Sequence, residues 1–425
     1  MSATREKQEL AFLRLEEKIG GECGKEIVSA LRELYAVYGD GIPAWLAGLY
    51  DYESGGWYYS ASARDNEGYL PDCESTLGGL TFPEHSGMSD GKRWFEVLPD
   101  WVLKRAGDYI EGLQDTDGYF YHPQWGKNIS VNRQSRDVDT CARILRVLGR
   151  KSKYVLPTKN ESSAEGKYDM KSAPERYRSL ENWLTYLETL NIKENSYYAG
   201  STLLAQRPQI IAYGEAIGED LYNITCDWLD KNVFEKTGLW SEKTDYRAAN
   251  GLHKISWFYS GMGRVIPYHE RAVESALKVI MSDEPCDAVV SAYNPWHAVG
   301  TVIDNLKEHG ERGAERAEAL YRKVYEIAAE GILKSAEKVR RFKQPDGGLS
   351  YLPNSSCPTN QGAPSAVPDT PEGDVNGNGC GSFALINSIY NSLGLSEYAV
   401  PLYGSDELSL YVSILEKKRE AFENR

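Results

Sequence analysis

A chain of 425 residues with 41% hydrophobic and 11% aromatic content has the material for a substantial buried core, which excludes a disordered protein. Its formal net charge of −14 argues against a nucleic-acid partner, which needs a basic face, and still allows a local basic cleft for an anion. The longest apolar runs are a few residues, far from the roughly 20 that cross a bilayer, so no membrane partner is expected.

The N-terminal segment Met1-Ser2-Ala3-Thr4-Arg5 passes directly into an amphipathic pattern without the apolar stretch of a secretory signal, and the expected location is therefore cytoplasmic. Seven cysteines, at 23, 73, 141, 226, 286, 357 and 380, are scattered singly with no CxxC pair. They suggest buried, inert thiols rather than a disulfide framework or a zinc knuckle.

Helical periodicity is strong over Leu10–Ile19, Ile27–Tyr38, Trp94–Leu113, Val138–Leu148, Tyr177–Leu190 and Ile210–Val233. It returns over Ile255–Ile266, Arg271–Met281, Val299–Leu306, Arg316–Val339, Phe383–Leu393 and Leu408–Phe422. Between these helices lie segments rich in Gly, Asn, Pro and aromatics, too long for simple bundle turns.

A recurring unit organises those segments. A helix ends in a polar turn, then glycine, then aromatic or leucine residues: Tyr52 to Tyr58, Asp115 to Phe120, Glu235 to Trp240, and Gln344 to Leu349. The glycine is expected to take the left-handed conformation of a helix terminus, and the next ring to tuck back onto the helices as a short extended excursion. After the excursions come helix starts that are unusually polar beside the apolar helices they open, near Asp72-Cys73-Glu74, Arg136 to Asp139, His253-Lys254, Asn294 to His297 and Asp374 to Asn376, with a weaker sixth near Ser201 to Gln206. Six inner and six outer helices alternating along the chain is the pattern of an all-α (α/α)6 toroid of helical hairpins, with short β-excursions in the loops, as one domain over residues 1–425.

The segments QDTDGYFYHPQWG and KQPDGGLSYLP resemble the Q-x-x-DG-aromatic repeats of the terpenoid-cyclase and prenyltransferase toroids. The layout as a whole resembles the toroids of polysaccharide lyases and several glycoside hydrolases. That resemblance implies a carbohydrate-active enzyme whose inner helices present their N-terminal residues to a common cleft, where unpaired N–H groups add partial positive charge. Trp57, Tyr58, Trp125, Trp257 and Trp296 would flank the cleft as sugar-stacking rings, with Arg136, Asp139, Lys254, Asn294 and Asn376 as polar contacts. Any single ring could equally pack an excursion onto the helices.

Toroidal lyases generally use Asn, His, Tyr and Arg to neutralise a uronate carboxylate, remove the C5 proton and protonate the leaving oxygen. Carried onto this chain, Asn294 or Arg136 would neutralise, His253 or His297 would act as base, and Tyr259 would protonate. The leading expectation is thus a lyase cleaving a uronate-containing oligosaccharide or polysaccharide by β-elimination. An inverting glycoside hydrolase is the first alternative, drawing on Glu74, Asp139 or Asp374 as carboxyls roughly 6.5–9.5 Å apart. Each of these could also be a helix cap or first-turn charge. A non-catalytic glycan-binding toroid is the second alternative.

No cofactor and no metal are expected. Asp287, Cys286 and His297 carry the donor chemistry of the prenyltransferase zinc site, but nothing in the sequence fixes their geometry. The motif RDVDT only partly echoes the acidic motif of squalene-type cyclases, and GDVNGNG lacks the acidic spacing of an EF-hand. The Gly- and Pro-rich stretch Gln361 to Ser382 is expected to form a loop on the rim of the cleft.

Overall fold

The computed structural model describes residues 3–158, 164–166 and 168–425, so Met1 and Ser2 of the N-terminal segment lie outside the described residues. In chain order the helices are α1 (Ala3–Ile19), α2 (Gly21–Tyr35), α3 (Ile42–Gly48), α4 (Ala61–Arg64), α5 (Cys73–His85), α6 (Trp94–Val97), α7 (Asp100–Gly112), α8 (Val131–Val147) and α9 (Leu180–Thr189). They continue as α10 (Ser196–Ile217), α11 (Leu221–Asn232), α12 (Tyr246–Tyr259), α13 (His269–Ile280), α14 (Val290–Lys307), α15 (Gly310–Arg340), α16 (Val375–Gly379), α17 (Leu385–Ser392) and α18 (Ser405–Glu423). A π-helical turn, Cys380–Ala384, joins α16 to α17. The only ladder among the described residues pairs β1 (Thr359–Asn360) with β2 (Ala363–Pro364), so the chain is all-α. None of these helices is long and apolar enough to cross a membrane.

Two periodic stretches that read as single helices are each two. Trp94–Leu113 breaks at Leu98, which precedes Pro99 and is held extended at ψ 147°. The proline ring disfavours helical geometry in the residue before it. Ile210–Val233 breaks at Gly218, left-handed at φ 76°. Conversely, α8, α10, α12 and α14 begin well before their apolar periodicity does. The starts of the first three are set by the side-chain oxygens of Ser130, Asn195 and Asp245, which accept from backbone N–H groups of α8, α10 and α12. Arg136, His253 and His297 therefore lie one to two turns inside their helices, not at the first residue.

Helix packing runs in a closed cycle: α5 against α8, α8 against α10, α10 against α12, α12 against α14, α14 against α17, and α16 back against α5. Outside it, α7 packs on α8, α11 on α10, α13 and α15 on α14, and α2 on α15. Glycines permit the closest approaches. A Cβ on Gly251 of α12 would lie 2.0 Å from Ser196 Oγ of α10, and one on Gly200 of α10 would lie 2.8 Å from Ile255 of α12.

Each of the four recurring turns closes on an isolated antiparallel bridge: Tyr50 with Trp57, Gln114 with Phe120, Phe234 with Leu239, and Lys343 with Leu349. Gly55, Gly118, Gly238 and Gly347 all have positive φ, as expected of these turns. The rings tuck inward, with Trp57, Phe120 and Trp240 essentially inaccessible to solvent. The four turns are not mechanically alike. A Cβ on Gly118 would lie 2.1 Å from the carbonyl oxygen of Val155, whereas one on Gly347 would meet nothing within 4 Å. Gly347→Ala is expected to cost only the left-handed penalty of about 1–2 kcal/mol, and Gly118→Ala clearly more because backbone must also move. Urea midpoints of the two variants check this, and equal losses would contradict it.

Candidate functional site

The first two turns of the cycle's helices are tied to one another. Glu74, in the first turn of α5, accepts from Arg133 Nη1 at 2.8 Å and Arg136 Nε at 2.7 Å, both on α8, and from Asn360 Nδ2 of β1 at 2.9 Å. Asn132 of α8 donates to Ser201 of α10 at 3.1 Å, and Asn294 of α14 donates to Asn250 of α12 at 3.0 Å. Gly78 of α5 abuts Val375 of α16, and Gly381 abuts Val289 just ahead of α14. These links place the N-terminal turns of α5, α8, α10, α12, α14 and α16 at one end of the cycle.

Within that end, Glu74, Arg136, Tyr197, Lys254, Tyr293, His297, Asn376 and Cys380 are partly accessible to solvent while most of their neighbours are buried. Burial would push the Glu74 carboxyl up, but the guanidinium groups of Arg133 and Arg136 hold it well below the usual carboxylate range. Arg133 is fully buried and also bonds Asp137, which in turn accepts from the Cys73 thiol. Glu74 is thus a fixed anion between two cations.

His253 and His297 meet with Nδ1 to Nδ1 at 2.9 Å and ring planes at 82°. One ring must donate there and the other accept, so at most one of the two is protonated at that nitrogen. Burial lowers the His253 imidazole well below its ordinary value, and burial with the charge of Lys254 lowers His297 to about 3. Tyr293 and Trp257 flank the pair, with ring centroids 5.4 and 5.3 Å from that of His297. The Lys254 ammonium nitrogen stands 6.0 Å from the centre of the Tyr197 ring and 5.7 Å from that of Trp257. Burial, aided by the charge of Arg136, lowers its amine from 10.5 to about 8. The phenols of Tyr197, Tyr293 and Tyr351 are all raised by burial.

The structure therefore brings Glu74, Arg136, Lys254, His253, His297 and Trp257 together, with Asn294 paired to Asn250 beside them and Asn376 on the first turn of α16. Other sequence candidates lie elsewhere. Tyr259 faces outward from α12 and donates to Asp230 of α11 at 2.6 Å, away from the imidazoles. Trp296 is buried on the outer side of α14, with Nε1 on Ser335 of α15. Trp57 is buried under Gly79 of α5, and Tyr58 is half-buried beside the first recurring turn. Asp139 is exposed on α8 and takes no part in the cluster. Asp374 is completely buried as the α16 cap, accepting from the backbone N–H groups of Gly377, Tyr351 and Cys357 at 2.7, 2.8 and 3.0 Å. Its carboxyl is raised to about 6 by burial, against those three donors.

Trp125 lies on the rim. It stacks on His122 at 4.1 Å and donates Nε1 to Pro364 O, so it fastens a strap made by the β1–β2 hairpin. The strap is further held by Asn360 on Glu74 and by Ser130 Oγ on Gln361 O at 3.1 Å. The Gly- and Pro-rich stretch Gln361 to Ser382 opens in this hairpin, and where a loop was expected throughout it ends as helix α16 and its π-turn. Among the described residues no group of His, Cys, Asp or Glu is arranged to hold a metal ion, and the Cys286 thiol lies against Tyr246 and Lys338 instead.

Tyr197, Tyr293, Tyr351, Asn360 and Cys380 belong to this cluster and were not singled out in the sequence. For Tyr197 the available signal was the capping residue Asn195 two positions earlier. For Cys380 no local signal exists, because a π-turn, often found at functional sites, places it. The chain matches no family model, no curated protein and no solved structure.

Proposed function

We propose that the chain is an (α/α)6 toroid carrying a lyase that cleaves uronate-containing glycans by β-elimination. The toroid reading is supported by the closed cycle of six inner helices, the outer helices packed around it, and the common end at which the inner N-termini are tied together. The observation that carries the chemistry is the Arg136 guanidinium and the Lys254 amine side by side, set among three tyrosines and a neutral imidazole pair. A partly accessible guanidinium, held in place by Glu74 and set near helix N-termini, suits a carboxylate on the substrate, on a protein that is otherwise strongly acidic.

The hydrolytic alternative fits less well. It needs two free carboxyls facing one bond. Glu74 is committed to Arg133, Arg136 and Asn360, Asp374 to three backbone N–H groups, and Asp139 sits outside the cluster. In the lyase, Arg136 holds the uronate carboxylate and stabilises the charge that develops on it as the C5 proton leaves. Trp257, exposed beside the histidines, offers a face for a sugar ring.

The test monitors the ultraviolet absorbance of an unsaturated uronate product across a panel of uronate glycans, with a reducing-sugar assay on the same samples. A rise in both is expected. New reducing ends without absorbance would replace the proposal with hydrolysis, and silence in both across the panel would reject it in favour of a glycan-binding protein. Arg136→Gln should lower kcat/KM by about 10²–10³, the usual effect of losing one positioned donor to a developing anion.

A further inference from the structure

We propose that Lys254 is the base of this site, taking the C5 proton from the substrate, and that the histidine pair beside it serves to position rather than to exchange that proton. The inference rests on the lyase reading and assigns within it a role that residue type alone did not.

Lys254 stands outside the ion pairs that join Glu74 to Arg133 and Arg136. Among the described residues its amine has no ion-pair or hydrogen-bond partner, although the Glu74 carboxylate is close enough to act on it electrostatically. Glu74 has no capacity left, since Arg133, Arg136 and Asn360 already occupy both its oxygens. A lysine in such a place ordinarily finds a carboxylate or reaches bulk water. Here the base of the side chain lies against α10, where a Cβ on Gly200 would come within 3.0 Å of the Lys254 Cβ. The amine is kept over the Tyr197 and Trp257 rings.

The groups facing it are Glu74 from α5, Arg136 from α8, Tyr197 from α10, His297 from α14 and Cys380 from the π-turn. Burial first and then the charge of Arg136 disfavour an ammonium, and together they outweigh Cys380 and Glu74, which favour it. The result is a primary amine available in its neutral form near pH 8. The imidazoles are poorer bases. Their Nδ1 atoms are turned on each other, and the Nδ1 of His297 is also within 3.2 Å of Thr301 Oγ1.

The step balances within the cluster. The Lys254 Nζ lone pair takes the proton as the C5–H bond breaks, the released electron pair forms the C4=C5 double bond, and the C4–O4 bond breaks. The leaving oxygen takes a proton from the Tyr197 hydroxyl, and the proton on Lys254 then returns to the tyrosinate. Arg136 stays bound to the carboxylate throughout.

Two measurements test it. In the elimination assay, Lys254→Arg keeps the charge and removes the base, so kcat should fall by about 10²–10⁴ with KM little changed, the range for loss of a positioned general base. The wild-type kcat/KM should rise with pH and level off above about 8, because the unprotonated amine is the active form. His297→Asn should lose less than about tenfold and keep that rising limb. Lys254→Arg retaining wild-type kcat, or His297→Asn abolishing the limb, would overturn the assignment while leaving the lyase standing; no unsaturated product from the wild type would overturn both. Independently of turnover, the ε-carbon resonance of Lys254 in lysine-labelled protein, identified by its absence in Lys254→Arg, should titrate near 8. Titration with the bulk of the lysines would refute the proposal whatever the assay gave.

Discussion

Glu74→Ala is expected to destabilise the protein by about 3–5 kcal/mol, because it strands the guanidinium of Arg133 in a place with no access to water. The loss is not the worth of one ion pair. It is the cost of leaving a buried guanidinium with one carboxylate in place of two, Asp137 alone, whose own carboxyl burial pushes up and so favours less as an anion. Urea unfolding measures it, and a change below about 1 kcal/mol would show that Arg133 finds another partner. The sign of the pH dependence comes from the same contacts. Glu74 is held below its ordinary value of 4.5, so its contribution is present above that value and drains away as the pH falls through its lowered one.

Asp374→Ala should cost about 3 kcal/mol, by leaving the N–H groups of Tyr351, Cys357 and Gly377 without their common acceptor. These three belong to the last recurring turn, the strap and helix α16, so the variant should also loosen the strap and raise amide exchange at Cys357. An unchanged exchange rate there would mean that Asp374 only caps the helix. Its pH behaviour is opposite to that of Glu74. With the folded carboxyl raised from 3.8 to about 6 by burial, the proton-linked part of the wild type's stability is present in full below about 3.8 and is lost as the pH rises through about 6. Asp72, the buried cap of α5, is raised to about 6 and adds in the same direction. Asp374→Asn should therefore flatten part of the fall in stability between those values.

The turns were legible in the sequence because a left-handed glycine followed by a buried ring is a local device. Gly118 and Phe120 declare it without reference to the rest of the chain. The helices of the packing cycle were legible only in part. On α5 and α10, small and apolar residues occur on all sides, and so the 3.6-residue contrast that marks Ile27 on α2 or Val273 on α13 is missing. The His253 and His297 pair was recognisable as two histidines at helix positions that could share a cleft. That Tyr259 turns away from it is a matter of helical phase: it lies six residues after His253, on the face that meets α11. The pairing of Glu74 with Arg133 and Arg136 joins residues 59 and 62 positions apart, and no spacing rule announces it.

The cycle of helices closes at a seam between early and late chain. Ser60 bridges Asp374, Val375 N–H donates to Tyr59 O, Ser62 bonds Glu372, and Tyr411 OH reaches Gly79 O across 332 positions. During synthesis, α5 and α8 emerge long before the segment that covers their remaining flank, so Glu74 and its arginines wait in a half-built cavity open to water. Asn360 and Cys380 arrive only with the last stretch, and the environment that sets the Lys254 amine arrives with them. A nascent or truncated polypeptide lacking that stretch holds Glu74, Arg136 and Lys254 without the residues that close over them.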